Sequence, residues 1–354
     1  MDDRTDDMTL IEKSEEVENK EYSIFEEQIA RKPNRYPWTD KFIDAMHEGH
    51  WTHKEFTFQS DIHDFKTVLT EQEQDIIKKT LSAIGQVEIA VKKFWAKLGD
   101  NLPHPSLTDL GYVMANIEVI HNNAYENLLS VLGLENVFEE NLKVPVIQGR
   151  INYLRKYLHK FYKDHRKQYV YSLILFTLFV ENVSLFSQFY IIRWFGRFQN
   201  VLKDTNQQVR YTRLEEQIHA QVGMQLVNNI RKEHPELFDA ELEARIINEA
   251  EAAFQAECSI IDWILGDYSQ ERINASVLKE YIKKRINDSL KEIGFNRVFT
   301  INRELKRDFE WADEELLGNT AMDFFHGRPV EYSKKGKSFA KEILFPDKIY
   351  TKTW

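Results

Sequence analysis

The chain reads as an all-α protein, a bundle of long amphipathic helices, and three features predict it. Apolar residues recur at alternating spacings of three and four through long segments. No proline interrupts the stretch from Pro145 to Pro235 or that from Pro235 to Pro329, and each has room for more than one helix. Period-two alternation, the mark of a half-buried strand, is nearly absent.

Taken in order, the first thirty residues hold eleven acids against Arg4, Lys13 and Lys20. They are expected to form a flexible acidic tail over 1–30, followed by a helical domain over 31–322. Thr70 with Glu73 is a capping-box pattern and opens a helix running toward Gly99. Ser106 with Asp109 opens a second, ending near Gly133. Further amphipathic runs predict helices near 147–165, 168–198, 206–232, 241–266 and 274–293. Residues 323–354 have the composition of a flexible C-terminal tail, with Gly327, Pro329 and the run Ser333-Lys334-Lys335-Gly336-Lys337-Ser338.

Charge and cysteine content exclude several classes. With 47 Lys+Arg against 57 Asp+Glu the formal charge is −10, which gives no net field for attracting a nucleic-acid backbone. Cys258 is the only cysteine, so one chain can build neither a disulfide nor a Cys-ligated zinc or iron–sulfur site. The N-terminus lacks the basic and apolar regions of a signal peptide, and a cytoplasmic location is expected. The stretch 168–192 carries one charge, Glu181, and is long enough to span a bilayer. A carboxylate near its centre, followed by Asn182, Ser184, Ser187 and Gln188, predicts a buried helix and no membrane span. No solenoid-period repeat or Gly-rich phosphate loop is present.

Acids interrupt the apolar stripes. The first long helix carries Ile77, Leu81, Ile84, Glu88, Val91 and Trp95 on one face. The next carries Leu107, Gly111, Met114, Glu118, His121, Tyr125 and Leu128. Glu181 is embedded in the most apolar part of the chain, and a fourth stripe reads Val209, Glu216, His219, Leu226 and Ile230. A single buried carboxylate is ordinarily protonated or paired with Arg or Lys, and one ExxH pair arises readily by chance. Two ExxH pairs on apolar stripes, with a buried Glu on each of two further helices, form instead the ligand set of a carboxylate-bridged dimetal site in a ferritin-like four-helix bundle with additional helices. Four carboxylates and two imidazoles suit two divalent ions, balancing their charge with bridging oxygens and end-on nitrogens. His47, His50 and His53 form a rival cluster, but their spacing fans around a helix and converges poorly on one ion.

Over roughly residues 35–354 the sequence resembles the small, radical-generating subunit of class I ribonucleotide reductase. The resemblance rests on Glu88, Glu118-Val-Ile-His121, Glu181 and Glu215-Glu216-Gln-Ile-His219, with Tyr125 four residues after the first histidine. Trp51 lies upstream, and Phe324-Phe325 with Tyr332 lie at the C-terminal end. It implies six metal ligands, Glu88, Glu118, His121, Glu181, Glu216 and His219. It also implies a radical tyrosine at Tyr125 and a relay through Trp51 and Tyr332. Glu181 and Glu216 stand one residue further apart than the family's usual spacing, so Glu215 competes for the ligand role. Its expected part is to orient a ligand histidine or Trp51. Glu88 in place of the Asp of many diiron relatives favours two manganese ions over two iron ions, with O2 or superoxide as the activating oxidant. The implied function is that of a ribonucleoside-diphosphate reductase small subunit, supplying an oxidising equivalent for deoxyribonucleotide synthesis. The implied partners are a catalytic large subunit, docked through the C-terminal tail, and a second copy in a homodimer. A dimetal oxidase or hydroxylase on the same bundle, such as a ligand-binding oxidase, and a ferritin-like storage protein are the alternatives.

Overall fold

A computed structural model describes residues 22–325, without the side chains of 88–91 and 316–325. Within these residues the chain is helical, and the one pairing of extended backbone is an isolated bridge between Gln270 and Ile273. The longer helices are α1 (Trp38–Glu48), α2 (Glu71–Trp95), α3 (Pro105–Leu132), α4 (Glu135–Asn141), α5 (Pro145–Leu154), α6 (His165–Ile174), α7 (Phe186–Trp194), α8 (Lys203–Glu233), α9 (Ala240–Leu265), α10 (Ala275–Glu292) and α11 (Arg303–Phe325).

Local chemistry sets the ends of the helices that matter most. Thr70 caps α2, its hydroxyl accepting from the Glu73 amide while the Glu73 carboxylate accepts from the Thr70 amide. Helix α3 begins one residue before the expected Ser106. Pro105 occupies its first turn, and His104 caps it by accepting from the Ser106 amide at 3.1 Å. It closes on Gly133, whose φ of 70° is the left-handed conformation that glycine adopts without penalty. α2 lies along α3, and their facing residues Ile77, Leu81, Ile84, Leu107, Met114 and Leu128 are fully buried. Each such side chain contributes about 1.5–3 kcal/mol on leaving water.

The segment expected as one helix near 168–198 is interrupted. After α6 the winding widens into π-helical turns from Leu175 to Glu181, and the chain bends at 182–185 before α7 resumes. Arg285 of α10 holds the bend, its Nε donating to the Asn182 carbonyl at 2.7 Å while its guanidinium lies over the Phe186 ring. The π-helical segment packs on α8, where Gly223 permits the approach: a Cβ there would stand 2.1 Å from the Thr177 methyl. This stretch is long and apolar enough to cross a membrane, yet its most apolar part is wholly buried inside the fold, as expected for a core helix.

Other boundaries also move. The helix expected over 147–165 stops at Leu154 and tightens into a 3-10 turn at Arg155–Leu158. Helices α1, α4 and α11 were not among the elements expected from the sequence. Within the expected acidic tail, 1–30, the described residues make contacts with the fold: Ile24 is buried and its amide donates to Glu233 at 2.6 Å, and the Gln28 amide donates to the Pro103 carbonyl. Residues 1–21 lie outside the described residues. At the other end α11 runs through Phe325, past the expected boundary at 322, and residues 326–354, including Tyr332, lie outside the described residues.

Candidate metal centre

Helices α3 and α8 and the π-helical segment bring Glu118, His121, Glu181, Glu216 and His219 together, all with no exposed surface. Donor atoms of Glu118, Glu181, Glu216 and His219 lie within 4.8 Å of one another. His219 Nδ1 stands 2.7 Å from Glu118, 3.7 Å from Glu216 and 4.0 Å from Glu181. His121 Nδ1 stands 3.0 Å from Glu216 and 3.4 Å from Glu118. The ExxH spacing explains the pairing, since residues three apart on a helix lie over one another and point the same way. Glu88 lies on α2, and its side chain is outside the described residues.

Glu215 stands behind this cluster. Its Oε2 accepts from Trp51 Nε1 at 2.8 Å and lies 2.8 Å from His121 Nε2. A carboxylate holding the Nε2 proton leaves the His121 Nδ1 lone pair facing the glutamates, the tautomer a metal ligand needs. Trp95, at the end of α2, donates to Glu181 Oε1 at 2.6 Å and so orients that carboxylate. The sequence offered a signal for this contact, because an indole on a buried stripe needs an acceptor. Tyr211 was also missed: its ring packs on Trp51 with centroids 5.6 Å apart, and Phe56 completes the aromatic group.

The electrostatics distinguish this cluster from a structural polar network. Elsewhere the fold resolves buried acids in the ordinary way: Glu257 pairs with Arg150 at 3.1 Å, and Glu315 with Arg213 at 3.1 Å. Among the described residues no lysine or arginine pairs with Glu118, Glu181 or Glu216. Both oxygens of Glu118 and Glu216, Oε2 of Glu181 and Nδ1 of His219 converge without making a well-formed hydrogen bond. Burial, together with the charges of Glu216 and Glu118, pushes the Glu181 carboxyl well above its ordinary range. Burial opposes charge on Glu216 too, but contacts with Glu181, His121 and His219 hold its pKa low. Burial lowers the His219 pKa, and the Glu118 carboxylate outweighs it, raising the value to about 9. This excess of negative charge in a dry core is what bound cations would neutralise. The donor set of carboxylate oxygens and imidazole nitrogens fits manganese and iron alike.

Tyr125, one turn beyond His121 on α3, is buried and lines a cavity of about 440 Å³. Gly85, Leu129, Phe138 and Leu142 line it too, with Glu126, Glu135 and Glu139; Leu185 and Phe189, reasonable walls from their position after Glu181, are not among its lining residues. The rival histidines do not converge. His47 ends α1, His50 is exposed beyond it, and His53 starts a separate 3-10 turn.

Helices that bury carboxylates and histidines around a shared centre, with no lysine or arginine among the described residues to answer them, define a protein of the ferritin-like class. Comparison with known proteins narrows this. The sequence profile described as "Ribonucleotide reductase, small chain" matches residues 28–306, and the chain belongs to that family of oxidoreductases. A probable ribonucleoside-diphosphate reductase small subunit of Invertebrate iridescent virus 3 is 25% identical over 320 residues, 86% of this chain and 84% of the viral one. A ribonucleoside-diphosphate reductase subunit beta of Halalkalibacterium halodurans is 23% identical over 306 residues, 85% of this chain and 87% of its own. Among solved structures, a putative class I ribonucleotide reductase from Bacillus halodurans superposes with a TM-score of 0.71 at 22% identity, covering 78% of this chain and 99% of its own. An R2-like ligand-binding oxidase with a Mn/Fe cofactor shares the fold, with a TM-score of 0.63 at 18% identity over 76% of this chain and 96% of its own.

Proposed function

We propose that this chain is the radical-generating subunit of a ribonucleoside-diphosphate reductase. Glu88, Glu118, His121, Glu181, Glu216 and His219 would hold two metal ions, manganese in preference to iron. When bound and oxidised by O2 or superoxide, the metals supply a one-electron oxidising equivalent. The observation that carries the reading is the chain of contacts from His121 through Glu215 to Trp51, which links the buried cluster to an indole. Glu215 holds the Trp51 proton at Nε1 and the His121 proton at Nε2, so the two rings keep fixed positions and protonation states. Burial of Trp51, at 0% exposure, keeps water from an oxidised indole.

The oxidising equivalent has to leave the chain, because Cys258 is its only cysteine and a ribonucleotide-reducing pair needs two. Tyr332 would carry it from Trp51 to a catalytic large subunit. The segment after Phe325 would dock there, ordering on binding with modest affinity. A homodimer in the cytoplasm completes the proposal. The test uses the full chain with its large subunit. Tyr332→Phe is expected to bind the partner yet give no turnover, and removal of residues 339–354 to abolish association while metal content is unchanged. An active Tyr332→Phe variant would overturn the relay, and full turnover of the truncated chain at low partner concentration would overturn the docking role.

One observation favours a second reading, a ligand-binding oxidase. The cavity beside Tyr125 is within the size range of small-ligand sites. Such an enzyme has no need of Trp51 for turnover, so Trp51→Phe separates the two readings: loss of activity toward a ribonucleotide supports the reductase, and retained oxidation of a small substrate the oxidase.

A further inference from the structure

Away from the buried cluster, the junction of α7 and α8 carries a small pocket of about 240 Å³ lined by Arg193, Gly196, Arg197, Lys203, Asn206 and Gln207. Three cations, two amides and no carboxylate form its walls, in a chain whose formal charge is −10. Acids nearby are committed elsewhere: Asp61 accepts from the amides of Asp204 and Thr205, Asp64 from that of Leu202, and Asp204 from that of Phe58. The amides that open α8 are therefore already satisfied, and the side chains carry the positive field.

One acid does answer these cations. Glu315 of α11 accepts from Arg193 Nε at 2.9 Å and from Arg213 Nη2 at 3.1 Å, and lies 3.8 Å from Arg197 Nη1. Three guanidinium groups share this carboxylate, and Lys203 has no acid partner among the described residues. Arg193 is fixed from both sides, since it also donates to the Asn206 carbonyl at 3.2 Å and to the Asn206 side chain. Gly196 makes that arrangement fit, because a Cβ would fall on the Asn206 amide. Arg197 is half exposed beside the Phe198 and Trp311 rings, and Lys203 is exposed. A fixed cationic base with two exposed cations at its mouth is an arrangement that suits a compact polyanion.

We propose that this pocket binds a diphosphate or longer phosphate anion, either free or as the phosphate end of a nucleotide. At about 240 Å³ the pocket has room for a diphosphate, and its open side leaves any attached nucleoside in solvent. Arg193 and Asn206 form the floor, and Arg197 and Lys203 close over the anion. Occupancy draws Arg197 from Glu315 and so reaches α11, the helix that leads to the C-terminal tail. The site stands apart from the metal cluster and does not depend on its proposed role.

Isothermal titration of the full chain with pyrophosphate, at about physiological salt, tests this. Saturable binding is expected, weakened about tenfold or more in the Arg197→Gln, Lys203→Gln double variant. Lys143→Gln, Lys160→Gln, which removes the same charge from an exposed region elsewhere, is expected to leave affinity within about twofold. Adenosine triphosphate binding more tightly than pyrophosphate identifies the nucleotide as the source of the phosphate. Equal affinities identify an inorganic one. Non-saturating heats, or equal losses in the two double variants, mean an adventitious ion only and overturn the proposal. Unchanged affinity in the Arg197, Lys203 variant also overturns it.

Discussion

Trp51 and His121 share one acceptor: a single oxygen of Glu215 lies 2.8 Å from the indole nitrogen of one and 2.8 Å from Nε2 of the other. The two rings also lie close, with centroids 6.3 Å apart. A residue that is neither exposed nor inside the cluster of converging donors thus ties the cluster to its aromatic neighbour.

Glu215→Ala should leave two buried donors without an acceptor, costing about 1–3 kcal/mol each. Because His121 would lose the partner that sets its tautomer, metal affinity should fall about 10–100-fold. Competitive metal titration measures the second effect and thermal denaturation the first. Unchanged metal affinity would show that His121 does not rely on Glu215.

Tyr125→Phe separates the two metal readings. If two manganese ions store the oxidising equivalent, the variant should keep most of its activity and all of its metal. Loss of nearly all turnover, with a tyrosyl signal in the paramagnetic resonance spectrum of the unaltered protein, would assign the equivalent to Tyr125 and reject its storage on a manganese pair.

Glu257 and Arg150 give a stability prediction away from the site. Burial pushes the Glu257 carboxyl up to about 7, against the lowering pull of Arg150, Gln188 and Ser184. Its folded-state value therefore exceeds its unfolded value of about 4.5, and the folded chain holds a proton that the unfolded chain releases. The stabilisation is complete below about pH 4.5 and is lost as pH rises through about 7. Glu257→Gln should flatten the fall in melting temperature across that window. Arg150→Met, which leaves Glu257 buried without its cation, should cost about 3–5 kcal/mol. A pH profile unaltered by Glu257→Gln would show that this group does not titrate there.

Much of the fold was legible because its long helices obey local rules. Thr70 with Glu73 marks where α2 starts, Gly133 where α3 stops, and the stripes of α3 and α8 show which faces turn inward. The π-helical turns were not legible, since their widening depends on partners far along the chain, Gly223 against Thr177 and Arg285 on Asn182. Helix α1 buries only Thr39, Ala45 and Met46, too faint a stripe to read. In α11 the inner face holds Glu315 among arginines where a pattern search looks for an apolar residue. Inward placement of Glu118 and Glu216 followed from periodicity, and that of Glu181 from the apolar run around it. Contact of Trp95 with Glu181 and of Tyr211 with Trp51 depended on side-chain directions that spacing does not encode.

The dimetal centre itself is tested most directly by anomalous X-ray scattering from crystals of the protein purified from its native host, collected at the manganese and iron edges. The account predicts two metal peaks per chain among α2, α3, the π-helical segment and α8. Glu118, His121, Glu181, Glu216 and His219 should be in contact with them, Glu88 should supply the sixth ligand, and Glu215 should remain on Trp51 and His121. A single ion, no ion, or a Glu215 bound to metal with Glu216 turned away would contradict it.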